Sequence, residues 1–481
     1  MNKAVMKQTQ VPLYPFLCRY MDVFAVTQSR ESRKDMNRLY LLHILNHVLT
    51  SRTRVQRHNR QIKELEEKKD KDETMENEVE QERFRDQGFT RPTVLVLLPT
   101  RGTCHQFIHD LMRLSGADDK NPHVERFDVE FGKSEAEEED GAPIDLKKEM
   151  RRKEVLEQKG KDWNALFGDD VNQDDDFKIG VSLTPKAANA KRKEARRASN
   201  VQVKLYTDFY KSDIIVASPL GLKMLIVPDE DGKDGDKDFL SSIEICLVQQ
   251  ADVMMMQNWD HANDILSMLN SEPQKNNDTD FSRVRNYFLE GQGANWRQLI
   301  LSTDVVDPFL LSAFKRFGKS VSGSVKIRRK IPPEDAALAN VLVPMKQVFQ
   351  RVPVSSLDQQ TDGRVQYFVK NILPQLQRHK QKHTLVYIPS YFDFVALRNI
   401  LLKREISFVS VHEYSRHTEV SRGRARFLQG RKPIMLYTGR CNFFHRHAIK
   451  GVSHLIFLGL PEHPQFYSEH VNLINTTSKF E

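Results

Sequence analysis

Cysteine is scarce in this 481-residue sequence: Cys18, Cys104, Cys246 and Cys441 lie far apart, with no Cys-x-x-Cys pair. That spacing excludes a disulfide framework or a thiolate zinc knuckle, and reduced thiols in an intracellular compartment are expected. Long apolar runs are also missing. None approaches the ~20 residues that span a bilayer, so no membrane partner is expected. Residues Met1–Gln10 lack the apolar segment of a signal peptide. A strong excess of one charge is absent too. Lys and Arg total 73 against 65 Asp and Glu, a net charge of +8, which tilts the partner toward a polyanion without demanding one. The length is enough for two or three domains with substantial cores.

What is there alternates between buried strands and helical stretches. Residues Lys34–Thr50 place apolar side chains at Met36, Leu39, Leu42, Ile44, Leu45, Val48 and Leu49, a helical rhythm. The charged stretch Arg54–Glu82 reads as its solvated extension. "RPTVLVLLPT" (Arg91–Thr100) is a short apolar run of the kind buried on both faces of a sheet. "SDIIVASPLGL" (Ser212–Leu222), Ile245–Asp252 and "RQLILST" (Arg297–Thr303) follow the same form. Between the runs Arg91–Thr100 and Ser212–Leu222, residues 135–200 hold "EAEEED" and "KRKEARR" with few apolar groups, so a partly disordered charged insertion is expected. The Gly/Ser/Pro-containing stretch Gly318–Pro333 reads as a boundary. After it "HTLVYIPS", "ISFVSVHEY", "KPIMLYTG" and "VSHLIFLGLP" restart the pattern. Two α/β domains with parallel sheets are expected, 1–317 and 336–481, joined by a linker over 318–335.

The order of several short motifs resembles that of the DEAD-box helicases. "PTRGTCHQ" (Pro99–Gln106), "SPLGL" (Ser218–Leu222), "QQAD" (Gln249–Asp252) and "LST" (Leu301–Thr303) stand where motifs Ia, Ib, II and III stand in that superfamily. "SRGRARFLQG" (Ser421–Gly430) resembles its phosphate-contacting arginine helix, and Tyr437–Pro461 resembles motif V and the strand after it. The segments "YLLHILNHVLTSR", "LYTDFYKSDIIVASPLGL", "IPSYFDFVALRN" and "HEYSRHTEVSRGRARFLQG" are similar to a degenerate branch, the digestive-organ-expansion-factor family. The resemblance implies two tandem RecA-like domains, helicase-like, with the charged insertion in the first. It also implies a nucleolar protein of the small-subunit processome, with pre-rRNA, U3 small nucleolar RNA and other processome proteins as partners. Family members carry a long acidic N-terminal extension; its absence from this sequence leaves open a short member or an incomplete gene product.

Three parts of ATP chemistry are missing where the resemblance would put them. Gln28–His43, in the place of the phosphate loop, has no glycine, whereas a loop of backbone N–H groups around phosphate needs one. Gln249 and Gln250 replace the two motif II acids, and an amide oxygen is a poor magnesium ligand and no proton acceptor. Asp252 keeps its carboxylate. Tyr467–Thr477, in the place of motif VI, has no arginine to stabilise a transferring phosphate. "AFKRFGKS" (Ala313–Ser320) fits a relaxed phosphate-loop pattern, but helical sequence precedes it and no helix start follows. His43 and His47 share a helical face without the intervening Glu of a zinc protease, and His445 and His447 flank Arg446 in a basic loop. No catalytic residue, cofactor or metal is expected.

The surviving motifs are the ones that face RNA in active relatives. By that resemblance, Thr100, Arg101, Ser218 and Gly221 form a first set of candidate RNA contacts. Arg416, Arg422, Arg424, Thr438, Arg440, Arg446 and Lys450 form a second. Hydroxyls, backbone N–H groups and guanidinium groups of this kind hold phosphates; acidic protein partners would suit the same residues. The expectation is a non-catalytic scaffold in pre-rRNA processing, with a divergent active helicase or a protein-binding adaptor as alternatives.

Overall fold

A computed structural model describes residues 13–26, 30–69, 84–117, 122–132, 154, 156–168, 171–185, 201–227, 235–277 and 279–476. The chain divides into two compact units. Met1–Lys153 and Asn164–Arg329 form the first; Glu154–Trp163 and Lys330–Glu481 form the second.

The first unit is built on an eight-stranded sheet. In chain order the strands are β1 (Asp22–Val26), β2 (Val94–Leu97), β3 (Lys178–Pro185), β4 (Val201–Lys204), β5 (Ile214–Ala217), β6 (Ile245–Gln249), β7 (Gln298–Thr303) and β8 (Ser324–Arg328). In space the order is β4-β3-β5-β2-β6-β7-β1-β8. Every pairing is parallel except those of β3, which runs antiparallel to β4 and β5. With β7 between β1 and β6, and β2 beyond β6, this is the strand order of a RecA-like domain. Side chains alternate between two cores: Ile245 and Leu247 of β6 join one cluster, Cys246 and Val248 the other. Period-2 alternation with both faces apolar is what produces a continuous hydrophobic run in sequence. The long helix Arg30–Lys69 covers one face through Leu39, Tyr40, Ile44 and Val48. Helix Arg101–Ser115 adds Phe107 and Leu111 to the same face. Helices Pro219–Ile226, Trp259–Met268 and Pro308–Phe317 cover the other with Leu222, Leu266 and Phe314.

Two expectations are corrected here. Part of the 135–200 insertion is core: β3 lies inside it, with Ile179, Val181 and Leu183 buried. Its alternating apolar residues are few enough to be lost in a window dominated by charge. The disorder expected for 135–153 and 186–200 falls outside the described residues. The 318–335 linker is in part a strand, since β8 pairs with β1 from Asp22↔Ser324 to Val26↔Arg328. Short, charged edge strands resist pairing with other chains, and a Ser-Val-Lys-Ile-Arg edge looks like a linker in sequence.

The second unit has a four-stranded, all-parallel sheet ordered β10-β11-β9-β12. These strands are β9 (Thr384–Ile388), β10 (Phe408–Val411), β11 (Ile434–Thr438) and β12 (His454–Phe457). Val386 and Ile388 pack against helix Tyr391–Lys403 and the helical run 360–378. Leu385 and Tyr387 pack on the opposite face with Val420 and Phe427 of helix His417–Leu428. The whole chain is thus α/β, with two RecA-like parallel-sheet units.

Candidate functional site

A nucleotide-binding RecA-like domain receives phosphate beyond the carboxyl ends of its strands. Here Val26 ends β1 and the next helix starts at Arg30, too soon for a glycine-rich loop. The side chains of that helix instead reach the neighbouring strand ends. Asn37 accepts a hydrogen bond from the Gln249 amide at the end of β6. Tyr40 donates to Ser302 Oγ on β7 at 3.1 Å, and Arg33 pairs with Asp304 at 3.2 Å. Asp252 faces the same strand end, its Oδ1 accepting from Thr303 Oγ1 at 3.4 Å and from Asp304 N at 3.2 Å. Gln249, Gln250 and Asp252 are all at least 95% buried. Gln250 takes a left-handed backbone, φ 56°, and its Oε1 is buried without a hydrogen-bond partner among the described residues. The amide-for-acid replacement therefore goes with a strand end that the protein closes on itself.

Neither sequence decoy gathers a site. Gly318-Lys319-Ser320 lies between helix Pro308–Phe317 and β8, and Ser320 N donates to Asp22 Oδ2 at 2.8 Å, so no helix opens there. His43 meets Gln298 Oε1 at 2.7 Å, and burial lowers its pKa to about 4 against that bond. His47 instead meets the Tyr20 hydroxyl at 3.0 Å and Glu244 at 3.3 Å.

The first set of RNA candidates is brought together, but the protein's own segment Asn172–Phe177 lies on it. Thr100 and Ser218 are buried N-caps, accepting from Thr103 N at 3.3 Å and Gly221 N at 2.9 Å. The helix-end N–H groups are also taken. Arg101 N donates to Asp174 O at 2.8 Å, Gly102 N to Asn172 O at 2.9 Å, and Ser218 N to Phe177 O at 3.0 Å. The Arg101 guanidinium contacts the Asp174 carboxylate at 2.8 Å and the Asp176 carbonyl at 2.7 Å. Gly221 packs so closely that a Cβ would stand 2.5 Å from the Phe177 carbonyl oxygen. The groups expected to hold a phosphate backbone are thus occupied by carbonyls and a carboxylate of the insertion.

In the second unit the candidates separate into held and exposed residues. Thr438 is fully buried, accepting from Cys441 N at 3.3 Å and donating to Glu413 Oε2 at 2.8 Å. Arg446, left-handed at φ 43°, makes a bidentate pair with Asp162 at 2.8 and 2.7 Å and meets Glu469 at 3.2 Å. Burial alone would raise the Asp162 pKa, but the Arg446 guanidinium outweighs it and holds the carboxyl below its usual range. Burial raises the Glu469 pKa to about 7 despite Arg446. Arg440 is half-buried over the Phe444 ring at 5.9 Å. Arg424 donates to the Ala448 carbonyl, tying its helix to the loop that carries Lys450. Arg416, Arg422 and Lys450 are exposed. Positive groups crowd this loop: burial first, then His445, Arg424, Lys159 and His417, lower the His447 pKa to about 4.

Families described as "UTP25, NTP hydrolase-like domain" and "Utp25, C-terminal domain" match residues 20–325 and 337–481. The chain belongs to the UTP25 family. It is 38% identical over 464 residues to the U3 small nucleolar RNA-associated protein 25 of Schizosaccharomyces pombe, covering 96% of this chain and 63% of that protein. The human U3 small nucleolar RNA-associated protein 25 homolog is 35% identical, with 98% and 57% covered. The Arabidopsis thaliana Protein NUCLEOLAR FACTOR 1 is also 35% identical, with 91% and 55% covered. This UTP25-family chain thus spans between about half and two thirds of those relatives. Solved structures similar to it include a hypothetical ATP-dependent RNA helicase from Sulfolobus tokodaii (14% identity, 99% and 90% covered, TM-score 0.28). A DEAD box protein from Methanococcus jannaschii is another (12% identity, 98% and 84% covered, TM-score 0.28).

Sequence reading missed the residues that occupy the candidate arginines, because Asp162, Asp174 and Asp176 sit in the stretch set aside as an insertion. It also passed over His105 and His109, four apart on helix Arg101–Ser115, the same spacing that drew notice at His43 and His47.

Proposed function

We propose that this chain is a non-catalytic, helicase-shaped scaffold of small-subunit pre-rRNA maturation in the nucleolus. On this reading it holds pre-rRNA or U3 small nucleolar RNA through phosphate contacts of its second unit, beside other processome proteins. The observation that carries the reading is the closed strand end: Gln249 bonded to Asn37 and Arg33 paired with Asp304, where an ATPase keeps acids and an open loop. The names of the relatives, one nucleolar and two tied to U3 small nucleolar RNA, support the setting. Arg416, Arg422 and Lys450, exposed beside Arg424, are the phosphate contacts, and the first-unit set serves to hold the insertion.

Calorimetric titration of the full chain with ATP and Mg2+ tests the first half of the reading. No saturable heat is expected, and magnesium-dependent micromolar binding overturns it. Crosslinking in cells tests the second half. Adducts to pre-rRNA or U3 RNA at residues 416–450 are expected, whereas recovery of protein contacts alone replaces RNA binding with an adaptor role.

A further inference from the structure

We propose that His105, His109 and Asp128 form a binding site for a divalent transition-metal ion of the zinc class, clamping helix Arg101–Ser115 to helix Pro122–Phe131. Three potential ligand atoms converge on one point. Asp128 Oδ1 lies 2.8 Å from His105 Nε2 and 2.7 Å from His109 Nε2, and the two Nε2 atoms are 3.1 Å apart. Hydrogen bonding cannot satisfy this triangle. An ionised carboxylate oxygen only accepts, so both ring nitrogens must carry protons to suit it. Two N–H groups then face each other at 3.1 Å. Removing one proton relieves that edge and sets a nitrogen lone pair against the carboxylate oxygen. With the carboxylate ionised, every protonation state of the two rings leaves at least one repulsive edge, whereas a cation at the centre accepts all three lone pairs together.

The dimensions and the setting suit zinc. Ligands about 2.0–2.1 Å from a tetrahedral ion stand roughly 3.3 Å from one another, so the triangle has to widen by about 0.2–0.6 Å. The side chains, 29% exposed for His105, 39% for His109 and 45% for Asp128, have that freedom. The rings are already oriented from beneath. The fully buried Phe127 stacks on His105 at 5.5 Å and tilts against His109 at 6.0 Å. Two imidazoles and one carboxylate are a borderline-soft donor set, which favours zinc, cobalt or nickel over magnesium or calcium. Solvent water completes the fourth position. The clamp also bears on Arg101, because the helix that supplies Asp128 presents the Glu130 carbonyl in its last turn, 3.3 Å from Arg101 Nη1.

The test uses the full chain and the metal alone. Competition titration is expected to give one Zn2+ per chain, and Co2+ to give visible d–d bands without thiolate charge transfer. His105→Gln, His109→Gln and Asp128→Asn should each lower zinc affinity tenfold or more, since losing even an orienting partner costs about 10–100-fold. His445→Gln/His447→Gln should leave it unchanged. Asp128→Asn keeps size and hydrogen bonding, so its metal-free melting temperature should match the parent, while the zinc-induced rise disappears. X-ray absorption of the unmutated zinc adduct needs no variant and should show two imidazoles and no sulfur. The proposal is overturned by sulfur in that shell, by affinity unchanged in Asp128→Asn and His105→Gln, by loss only in His445→Gln/His447→Gln, or by no uptake at micromolar free zinc.

Discussion

Gly221 shows how a residue selected for one role belongs to another. Its place at a helix start invited an RNA contact, yet the helix meets the Phe177 backbone there with no room for a methyl group. Gly221→Ala should cost about 1–3 kcal/mol, the usual range for overpacking, read as a lower denaturant midpoint at unchanged slope. Glu244 makes a pH-dependent contribution. Burial acts to raise its pKa, but His47 and Arg285 outweigh burial and hold it at about 2. A carboxyl whose pKa is depressed by folding adds stability above its unfolded value near 4.5 and loses it as pH falls toward 2. The contribution is roughly 3 kcal/mol at neutral pH. Stability should therefore fall less steeply from pH 5 to pH 2 in Glu244→Gln than in the parent; parallel curves would count against this assignment.

At the scale of elements, the insertion matters most. One of its stretches places Asp162 on Arg446 within the second unit, and another places Asp174 and Asp176 against Arg101 within the first. Each acidic stretch satisfies an arginine that the resemblance assigned to RNA. Releasing one of them is a direct experiment. Asp162→Ala should raise RNA affinity and steepen the salt dependence of binding by about one unit, since one more cation becomes available to displace counterions. A salt slope equal to that of the parent would make Arg446 a residue of internal structure alone. Strand β8 teaches a related lesson: Val325 and Ile327 alternate with Lys326 and Arg328, and five residues are too few for that alternation to stand out from a linker.

Each unit carries hydrophobic clusters of its own on both faces of its own sheet, so the molecule has two cooperative cores rather than one. Scanning calorimetry should give a calorimetric enthalpy larger than the van't Hoff value, the mark of more than one transition. The net charge of +8 gives a general attraction to polyanions, and the proposed second-unit face gives it a location. Arg416→Ala/Arg422→Ala should weaken binding to unrelated RNAs alike and flatten the salt slope by about two units, because phosphate contacts carry no base identity. Loss of affinity for one RNA only would instead point to base reading.

The linear sequence by itself determined the parts of this protein that depend on neighbours along the chain. Apolar runs at β2, β5, β6, β7, β9 and β11 announced buried parallel strands. The missing glycines and acids were visible as soon as the motifs were aligned by order. Tertiary structure decided which side chains meet. Gln249 finds Asn37 from 212 residues away, and Arg446 finds Asp162 from 284 residues away. The imidazoles of His105 and His109 become a candidate site only because a second helix brings Asp128 to them. Periodicity reports burial, which each element expresses on its own. A hydrogen bond or ion pair between distant segments depends on the register in which those elements pack, and no local pattern encodes it.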